Sequence, residues 1–277
     1  SPKTAMADKL GIIAGSGDLP RMLIEACRES GRECHVIALE GHADPDVVKD
    51  VPHDWLRLGA AGKAIEIGRA LNVRDVVLAG GIERPSLSSL RPDWRTLQFI
   101  MRLGRKSLGD DGILRLVIAE FEAEGFRVIG PDTVLQDLKP EAGLLGSHAP
   151  DQTAEDDIAR GRDVLRSMSA ADIGQAVVVQ QGLVLGVEAI EGTDALLARC
   201  GPLRREGDGG VLIKLSKHGQ ESRADMPTIG PDTVSAAATA GLRGIAVEAN
   251  ATLIVDRKRT VELANQHGLF LIAVAGV

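Results

Sequence analysis

The chain has 277 residues, of which 44% are hydrophobic and 26% are charged, so its composition excludes a disordered or low-complexity protein. Lysine and arginine number 32 against 39 acidic residues. The resulting net charge of −7 argues against nucleic acid as a partner, because neutralising phosphates requires a basic surface. The length exceeds the ~100 to 200 residues of a typical single domain, which predicts two domains.

The cysteines Cys27, Cys34 and Cys200 are odd in number and include no CxxC pair, a pattern typical of reduced thiols in the cytosol. We therefore expect neither a disulfide nor a zinc site. No apolar run approaches the ~18 residues of a membrane span, and the N-terminus lacks the design of a signal peptide. These features predict a cytoplasmic protein.

Strand and helix patterns alternate in the first half of the chain. Predicted strands cover residues 10–14, 34–39, 75–79 and 126–129, which are apolar and rich in β-branched side chains. Apolar residues recur at helical spacing over 61–71 and 113–121. This rhythm predicts a parallel sheet covered by helices, that is, a Rossmann-like domain over residues 6–140.

Periodicity fails over residues 139–153, where Pro140, Gly143, Gly146 and Pro150 indicate a linker or an exposed loop. We expect a smaller mixed α/β domain over residues 152–277. Its predicted strands are 176–181, 183–190, 211–215, 244–248 and 269–274, with a helix over 154–168 and further helices after Asp194, Pro231 and Asp256.

The first candidate site follows the first strand, where Gly15-Ser16-Gly17-Asp18-Leu19-Pro20 opens a helix as a dinucleotide fingerprint does. Pro20 replaces the third glycine, which weakens an NAD interpretation but leaves a nucleotide one. A tight structural turn is the alternative. Glu40, at the end of the second strand, stands where an acid meets ribose hydroxyls, or is only a solvated strand end.

Gly80 and Gly81 follow the third predicted strand, at residues 75–79, and lie at the sheet edge where open α/β folds bind ligands. Glycines at this place can let a base or ribose come close. They can equally serve a turn alone.

A charged loop follows the predicted strand at 211–215, on which Val211, Ile213 and Leu215 face one way and Lys214 the other. The loop carries Lys214, Lys217, Gln220, Arg223 and Asp225. Three cations, an amide and a carboxylate can clamp a diphosphate, neutralise its developing charge and hold a metal or a water. The alternative is a solvated loop.

An acidic cluster of Glu188, Glu191 and Asp194 lies where a strand gives way to a helix. Carboxylates are the oxygen ligands that Mg²⁺ takes, although Asp194 can instead be a helix N-cap. The histidines show no metal-ligand spacing. The chain has no GxxxxGK[ST] loop, which excludes a P-loop NTPase.

Between Arg91 and Lys106, an apolar stripe of Trp94, Leu97 and Met101 is surrounded by arginines. This pattern fits an interfacial helix that reaches anionic lipid. It fits a core-facing helix with solvated arginines equally well.

Three stretches occur together in a rare combination and in the same order as in one known family. They are Gly11-Ile-Ile-Ala-Gly-Ser-Gly-Asp-Leu-Pro20, Val187-Glu-Ala-Ile-Glu-Gly-Thr-Asp194 and the loop over 214–229. They resemble the LpxI family of UDP-2,3-diacylglucosamine diphosphatases of lipid A biosynthesis. The resemblance covers essentially the whole chain.

The resemblance implies Mg²⁺-dependent hydrolysis of UDP-2,3-diacylglucosamine to UMP and 2,3-diacylglucosamine 1-phosphate. It implies that residues 6–140 bind UDP and that 152–277 bind the lipid sugar and carry catalysis. Asp225 is then the catalytic carboxylate that directs the metal or a water. The resemblance implies four phosphate ligands, namely Lys214, Lys217, Gln220 and Arg223. Further substrate-binding candidates are Thr193 and Thr228. Further metal candidates are Glu188, Glu191 and Asp194.

Two other functions stay open at this point. Gly15, Gly17 and Glu40 allow a Rossmann oxidoreductase that uses a dinucleotide, although Pro20 argues against it. A nucleotide-sugar sensor would keep the binding residues without needing Asp225. Peripheral contact with the inner membrane and a homodimer are candidate interactions.

Overall fold

The computed structural model describes residues 8–82, 94, 98, 110–217, 223 and 226–276. Their positions separate into two compact units. The first unit contains the described residues up to Gln136 together with Arg223, and the second contains 137–217 and 226–276. Each unit is α/β, which confirms the predicted fold class.

The first unit is built on a five-stranded parallel sheet in the order β3-β2-β1-β4-β5. Its strands are β1 (Leu10–Ala14), β2 (Cys34–Leu39), β3 (His53–Leu56), β4 (Asp75–Ala79) and β5 (Arg127–Ile129). The chain winds outward from β1 to β3, then crosses back to β4. The junction of β1 and β4 is therefore the topological switch point of a doubly wound sheet.

Helices of the first unit are α1 (Leu19–Ser30), α2 (Pro45–Val48), α3 (Ala61–Ala70), α4 (Asp110–Ala123) and α5 (Pro131–Val134). One core cluster joins Ile65 of α3 and Phe121 of α4 to Ile37 and Val76 of the sheet. The helical spacing seen in the sequence thus marks the residues that cover the sheet. Strand β3 was not predicted, because it is short and its side chains are only partly buried.

The second unit is built on a six-stranded mixed sheet in the order β6-β13-β11-β9-β7-β8. These strands are β6 (Gly143–Leu144), β7 (Ala176–Gln180), β8 (Leu183–Val187), β9 (Val211–Lys214), β11 (Gly244–Glu248) and β13 (Phe270–Val274). The central strands β13, β11 and β9 are parallel, whereas β6, β7 and β8 are antiparallel to their neighbours. A separate two-stranded sheet pairs β10 (Thr228–Ile229) with β12 (Leu253–Ile254).

Helices of the second unit are α6 (Gln152–Ala170), α7 (Thr193–Cys200), α8 (Pro231–Thr239) and α9 (Arg257–Gln266), and short 3-10 turns cover Gln136–Leu138 and Gly201–Leu203. The sheet has an apolar core on each face. Val211, Ile213 and Leu215 belong to one core and Leu212 to the other. The predicted alternation along β9 is therefore confirmed.

The predicted linker over 139–153 contains structure that the sequence did not indicate. Gly143 and Leu144 form edge strand β6 and pair with Ala273 and Ile272. The Pro140 carbonyl accepts a hydrogen bond of 2.8 Å from the Asn250 amide. A two-residue strand has no periodicity, so only its partner strand defines it.

Candidate functional site

The two glycine segments found in the sequence meet at the switch point of the first sheet. The Gly15 amide donates to the Ala79 carbonyl at 2.8 Å, and the Ser16 amide donates to the Gly81 carbonyl at 2.8 Å. In return the Gly81 amide donates to the Ser16 carbonyl at 3.0 Å. The loops after β1 and β4 thus form one hydrogen-bonded unit at the carboxyl edge of the sheet.

Close approach of these loops explains two of the glycines. A Cβ on Gly15 would lie 2.3 Å from the Gly81 carbonyl oxygen, and one on Gly80 would lie 2.3 Å from the Ser16 carbonyl oxygen. Gly80 also has a φ of +91°, in the left-handed region that favours glycine. Both positions need glycine for the turn itself, whatever ligand approaches.

Gly17 differs from its neighbours, because a Cβ built on it would meet no atom within 4 Å. Its φ is +88°, and it directly precedes α1. Asp18 is the N-cap of α1, yet its side chain makes no capping hydrogen bond and instead pairs with Arg21 at 3.3 Å. Gly17 and the start of α1 therefore present open backbone at the ligand edge, which is the arrangement that binds phosphate groups.

Glu40 lies at the same edge, on the strand beside β1. It follows the last residue of β2, is exposed, and its amide donates to the Leu56 carbonyl at 2.9 Å. The structure thus places the ribose candidate and the glycine loops at the carboxyl ends of neighbouring strands. The sequence predicted that these residues lie at the ligand edge of a parallel sheet, and the structure supplies the strand order that makes them neighbours.

A second set of candidates lies at the carboxyl edge of the second sheet. Lys214 ends β9 and is only 8% exposed. Its Nζ donates to the Thr228 carbonyl oxygen at 2.8 Å, which ties β9 to β10. Burying an ammonium group costs free energy unless the group is paired or hydrogen-bonded. The hydrogen bond to Thr228 therefore helps to keep Lys214 charged in this buried position.

Lys217 lies three residues further on, and its side chain is largely buried too. Its Nζ donates to Asp172 at 2.9 Å, just beyond the end of α6. The Thr228 side chain donates to the Met226 carbonyl at 3.1 Å. Both ends of the charged loop are thus anchored on the second unit.

Arg223 falls within the predicted domain 152–277, but the structure places it in the first unit. Its guanidinium forms an ion pair with Glu122 of α4. Its Cα lies 3.6 Å from the Cβ position of Gly130, after β5. Gln220 and Asp225 lie outside the described residues, and their roles stay predictions.

The acidic stretch after β8 has local partners of its own. Glu188 is 8% exposed and accepts hydrogen bonds from Thr193 Oγ1 at 3.2 Å and from the Gln175 amide at 3.4 Å. Glu191 pairs with Arg199 at 2.7 Å. That hydrogen bond, with smaller help from backbone amides, lowers the pKa of the Glu191 carboxyl.

Asp194 is not the N-cap of its helix. Gly192 occupies that position, and Asp194 lies in the first turn of α7. Among the residues that the structure describes, no group of three His, Cys, Asp or Glu side chains is arranged to hold a metal ion. The structure therefore does not assemble Glu188, Glu191 and Asp194 into a Mg²⁺ site.

Glu248 is a candidate that the sequence analysis missed. It ends β11, the strand next to β9, and its Oε2 accepts a hydrogen bond of 2.7 Å from the Ser216 amide. Its own amide donates to Thr252 Oγ1 at 3.1 Å. The carboxylate thus holds the chain directly after Lys214. Strand 244–248 was predicted, but its adjacency to β9 is not visible in the sequence.

Two carboxyl edges, one lined by glycine loops and one by buried charge, define a two-unit α/β protein of the nucleotide-binding kind. Residues 9–138 match the family model of the LpxI N-terminal domain, and residues 141–272 match that of the LpxI C-terminal domain. The chain belongs to the LpxI family, as the sequence motifs predicted.

A curated relative from Caulobacter vibrioides, the UDP-2,3-diacylglucosamine pyrophosphatase LpxI, is 42% identical over 275 residues. The match covers 96% of this chain and 97% of the relative. The boundary between the family models coincides, within a few residues, with the division of the structure after Gln136. Within the described ranges, no helix is long and apolar enough to cross a membrane.

Proposed function

We propose that this chain hydrolyses the diphosphate of UDP-2,3-diacylglucosamine, giving UMP and 2,3-diacylglucosamine 1-phosphate. The observation that carries the proposal is 42% identity to the Caulobacter enzyme over nearly the whole of both chains. Both units are matched, because the family models cover residues 9–138 and 141–272. The enzyme is a phosphoanhydride hydrolase of lipid A biosynthesis.

In this proposal the carboxyl edge of the first sheet takes the UDP moiety. Open backbone at Gly17, together with the uncapped start of α1, supports a phosphate subsite there. Glu40 would meet the ribose hydroxyls. Ser16 shapes the loop and offers no open donor, because its amide and its hydroxyl both donate to the Gly81 carbonyl, at 2.8 Å and 3.1 Å.

Lys214, Lys217 and Arg223 would supply positive charge to the diphosphate. Each is held by a named partner: the Thr228 carbonyl, Asp172 and Glu122 respectively. Cations that are fixed before the reaction stabilise developing negative charge without reorganisation. Asp225 and Gln220 would complete this group, as the family resemblance implies.

We propose Mg²⁺ as the cofactor, on the family resemblance alone. The described carboxylates do not fit such a site, because Glu188 and Glu191 are engaged with Thr193, Arg199 and backbone amides. Among the predicted metal ligands, Asp225 is therefore the one that we propose to bind Mg²⁺.

Turnover of the purified protein tests the proposed function. UDP-2,3-diacylglucosamine dispersed in detergent should yield UMP, measured by anion-exchange chromatography, and chelation followed by Mg²⁺ should abolish and restore the activity. Binding of the substrate without UMP release would instead indicate a nucleotide-sugar sensor. Oxidation of a dinucleotide cofactor in place of hydrolysis would indicate the oxidoreductase.

Asp225→Ala should abolish turnover and spare substrate binding, since removing a carboxylate near a dianionic diphosphate adds no repulsion. UMP release and equilibrium binding of the substrate measure the two effects separately. The exposed acid Glu262 provides a control on the same chain. Near-normal turnover by Asp225→Ala would show that catalysis is carried elsewhere.

We propose further that the enzyme works in the cytoplasm and meets its lipid substrate by peripheral contact with the inner membrane. Trp94, the described residue of the predicted interfacial stripe, is helical and 68% exposed. Leu97 and Met101 lie outside the described residues. Co-flotation with anionic vesicles should fall in Trp94→Ala, whereas unchanged flotation would remove this role.

A homodimer is the remaining proposed association. Edge strand β8 exposes Leu183 by 48% and Val184 by 38%, and an exposed apolar edge strand favours pairing with a second strand. Light scattering should give twice the chain mass, and Val184→Lys should give the mass of one chain. A monomeric wild type would rule the dimer out.

A further inference from the structure

Two cysteines of the first unit meet at the amino edge of its sheet. Cys27 lies in the last turn of α1, and Cys34 is the first residue of β2. Between them Gly31 takes a left-handed φ of 70°, and the Arg32 amide donates to the Cys27 carbonyl at 2.9 Å. This tight reversal returns the chain beside the helix and brings the Cys27 and Cys34 thiols next to each other.

The pair is asymmetric in its access to solvent. Cys27 is 1% exposed, whereas Cys34 is only partly buried. A reagent can therefore reach Cys34 first, and Cys27 only from inside the protein. The pair lies at the amino ends of the strands, opposite the carboxyl edge that holds the nucleotide candidates.

The surroundings divide the two thiols chemically. The hydrogen bond from Cys27 lowers the pKa of Cys34 to about 7, against the effect of burial and with help from Arg28, Lys9 and Arg32. The same hydrogen bond, together with burial, raises the pKa of Cys27. Cys34 is thus partly thiolate at neutral pH, and the thiolate is the form that attacks disulfides and other electrophiles.

We propose that Cys27 and Cys34 form a reversible dithiol–disulfide site that reacts with low-molecular-weight disulfides. In the first step the Cys34 thiolate attacks one sulfur of the disulfide, which breaks its S–S bond and releases one thiolate. A mixed disulfide then joins Cys34 to the other half of the reagent.

In the second step Cys27 loses its proton to solvent and attacks the Cys34 sulfur. The Cys27–Cys34 bond forms, and the second thiolate of the reagent leaves. Two protein thiols are oxidised and one reagent disulfide is reduced to two thiols. Once Cys34 is in the mixed disulfide, its hydrogen bond no longer raises the pKa of Cys27, so the second step is easier than the resting state suggests.

The disulfide would close a loop of eight residues, from position 27 to position 34. Such a crosslink restricts the unfolded chain and ties the last turn of α1 to the first residue of β2. Oxidation should therefore raise the Tm of the protein, and reduction with dithiothreitol should reverse the change. The inference does not depend on the proposed function.

The test uses the full-length, fully reduced protein and glutathione disulfide as the probe. After incubation at pH 7, quenching in acid and alkylation under denaturing conditions, intact mass and peptide mapping should show a Cys27–Cys34 disulfide and an alkylated Cys200. Cys200 is the internal control, because it is 1% exposed and its pKa is raised by burial.

The variants separate the two steps. Cys27→Ser should stop at a glutathione adduct on Cys34, whereas Cys34→Ser should leave Cys27 unmodified. Cys200→Ser should behave like the wild type. A wild-type protein that keeps glutathione on Cys34, or that does not react, would overturn the proposal.

The pH dependence of alkylation provides a second measurement. The rate at which iodoacetamide modifies Cys34 should rise with a midpoint of about 7, and Cys27→Ala should move that midpoint upward because the main cause of the low pKa is gone. If Cys27→Ala does not fold, the wild-type profile alone decides. A midpoint at the ordinary cysteine value of 9.0 would count against the site.

Discussion

A buried charged residue lies at the amino end of a strand in the first unit and at the carboxyl end of a strand in the second. In the first unit Asp75, at the amino end of β4, is 3% exposed and bonds to Arg127 at 2.7 Å and to Arg32 at 2.5 Å. In the second unit Lys214 and Glu248 lie at the carboxyl ends of β9 and β11. Ligands of open α/β sheets bind at carboxyl ends, so we expect Asp75 to serve stability, whereas Lys214 is the residue proposed for chemistry.

The carboxyl edge of the first unit is built instead from backbone. Gly15, Ser16, Gly80 and Gly81 are joined by main-chain hydrogen bonds, and a Cβ on Gly15 or Gly80 would lie 2.3 Å from a carbonyl oxygen. In the proposed function, recognition at this edge uses the open backbone at Gly17 and the start of α1, whereas the second unit contributes side-chain charge. Substitutions at Asp75, in the glycine loops and at the carboxyl edge of the second sheet should therefore differ in whether they lower stability, ligand affinity or turnover.

The largest effect is expected at Asp75. Asp75→Ala should lower the free energy of unfolding by about 4 kcal/mol, because it leaves Arg32 partly buried without its partner. Denaturant unfolding measures the change, and Asp46→Asn, which breaks an exposed pair with Lys49, is the matched control. A loss as small as that of the control would show that the buried group does not anchor the sheet.

The pH dependence of this effect has a definite sign. Burial raises the pKa of Asp75, but the hydrogen bonds from Arg127 and Arg32 outweigh it and hold the pKa below the ordinary value of 3.8. The stabilisation is thus present above that value and is lost as pH falls through the folded pKa. The stability difference between the wild type and Asp75→Ala should shrink under acid conditions.

Gly80→Ala should lower the free energy of unfolding by roughly 3 kcal/mol, from left-handed strain together with the clash against the Ser16 carbonyl. Gly31→Ala has the same backbone strain but open space around the new Cβ, so it should cost only about 1 kcal/mol. Thermal unfolding of the two variants measures the difference. Equal losses of unfolding free energy in the two variants would mean that the loops after β1 and β4 can move apart without loss of stability.

Gly17→Ala sharpens the same comparison, because the structure leaves its Cβ in open space. Stability should fall by about 1 kcal/mol, as for Gly31→Ala. If phosphate approaches the backbone at Gly17, UDP affinity should fall as well, by about tenfold, which calorimetric titration measures. Unchanged affinity would place the phosphate away from this loop.

Lys214→Ala should lower kcat/KM by about 100-fold, because the proposed function makes Lys214 a fixed cation beside the diphosphate, and the residue is poorly solvated. UMP release measures the loss, and Lys258→Ala, at an exposed lysine of the same unit, is the control. Equal activity of the two variants would move the cationic site away from β9.

A smaller effect than at Lys214 is expected at Glu248, which positions the chain after Lys214 through the Ser216 amide. Glu248→Ala should lower kcat by about tenfold with little change in KM, because the loop loses an anchor but no substrate contact. Glu248→Gln keeps an oxygen acceptor and should restore most of the rate. A rise in KM without a change in kcat would assign Glu248 a different role.

Sequence patterns were most informative where the physics is local. Strands such as Gly244–Glu248 were predicted with their observed bounds, since β-branched runs flanked by turn residues carry their own signal. The start of α1 was likewise visible in Pro20 and the preceding glycines. Short partly buried strands such as His53–Leu56 were missed, because neighbouring strands rather than their own pattern define them.

The sequence by itself determined the fold class, the presence of two domains, the family and the glycine loops, because composition, periodicity and motif order are properties of short segments. Only the tertiary structure decided which distant residues meet. It joined Ser16 to Gly81 and Ser216 to Glu248, and it brought Arg223 to Glu122 in the first unit. These contacts depend on strand order and chain crossing, which no local pattern encodes.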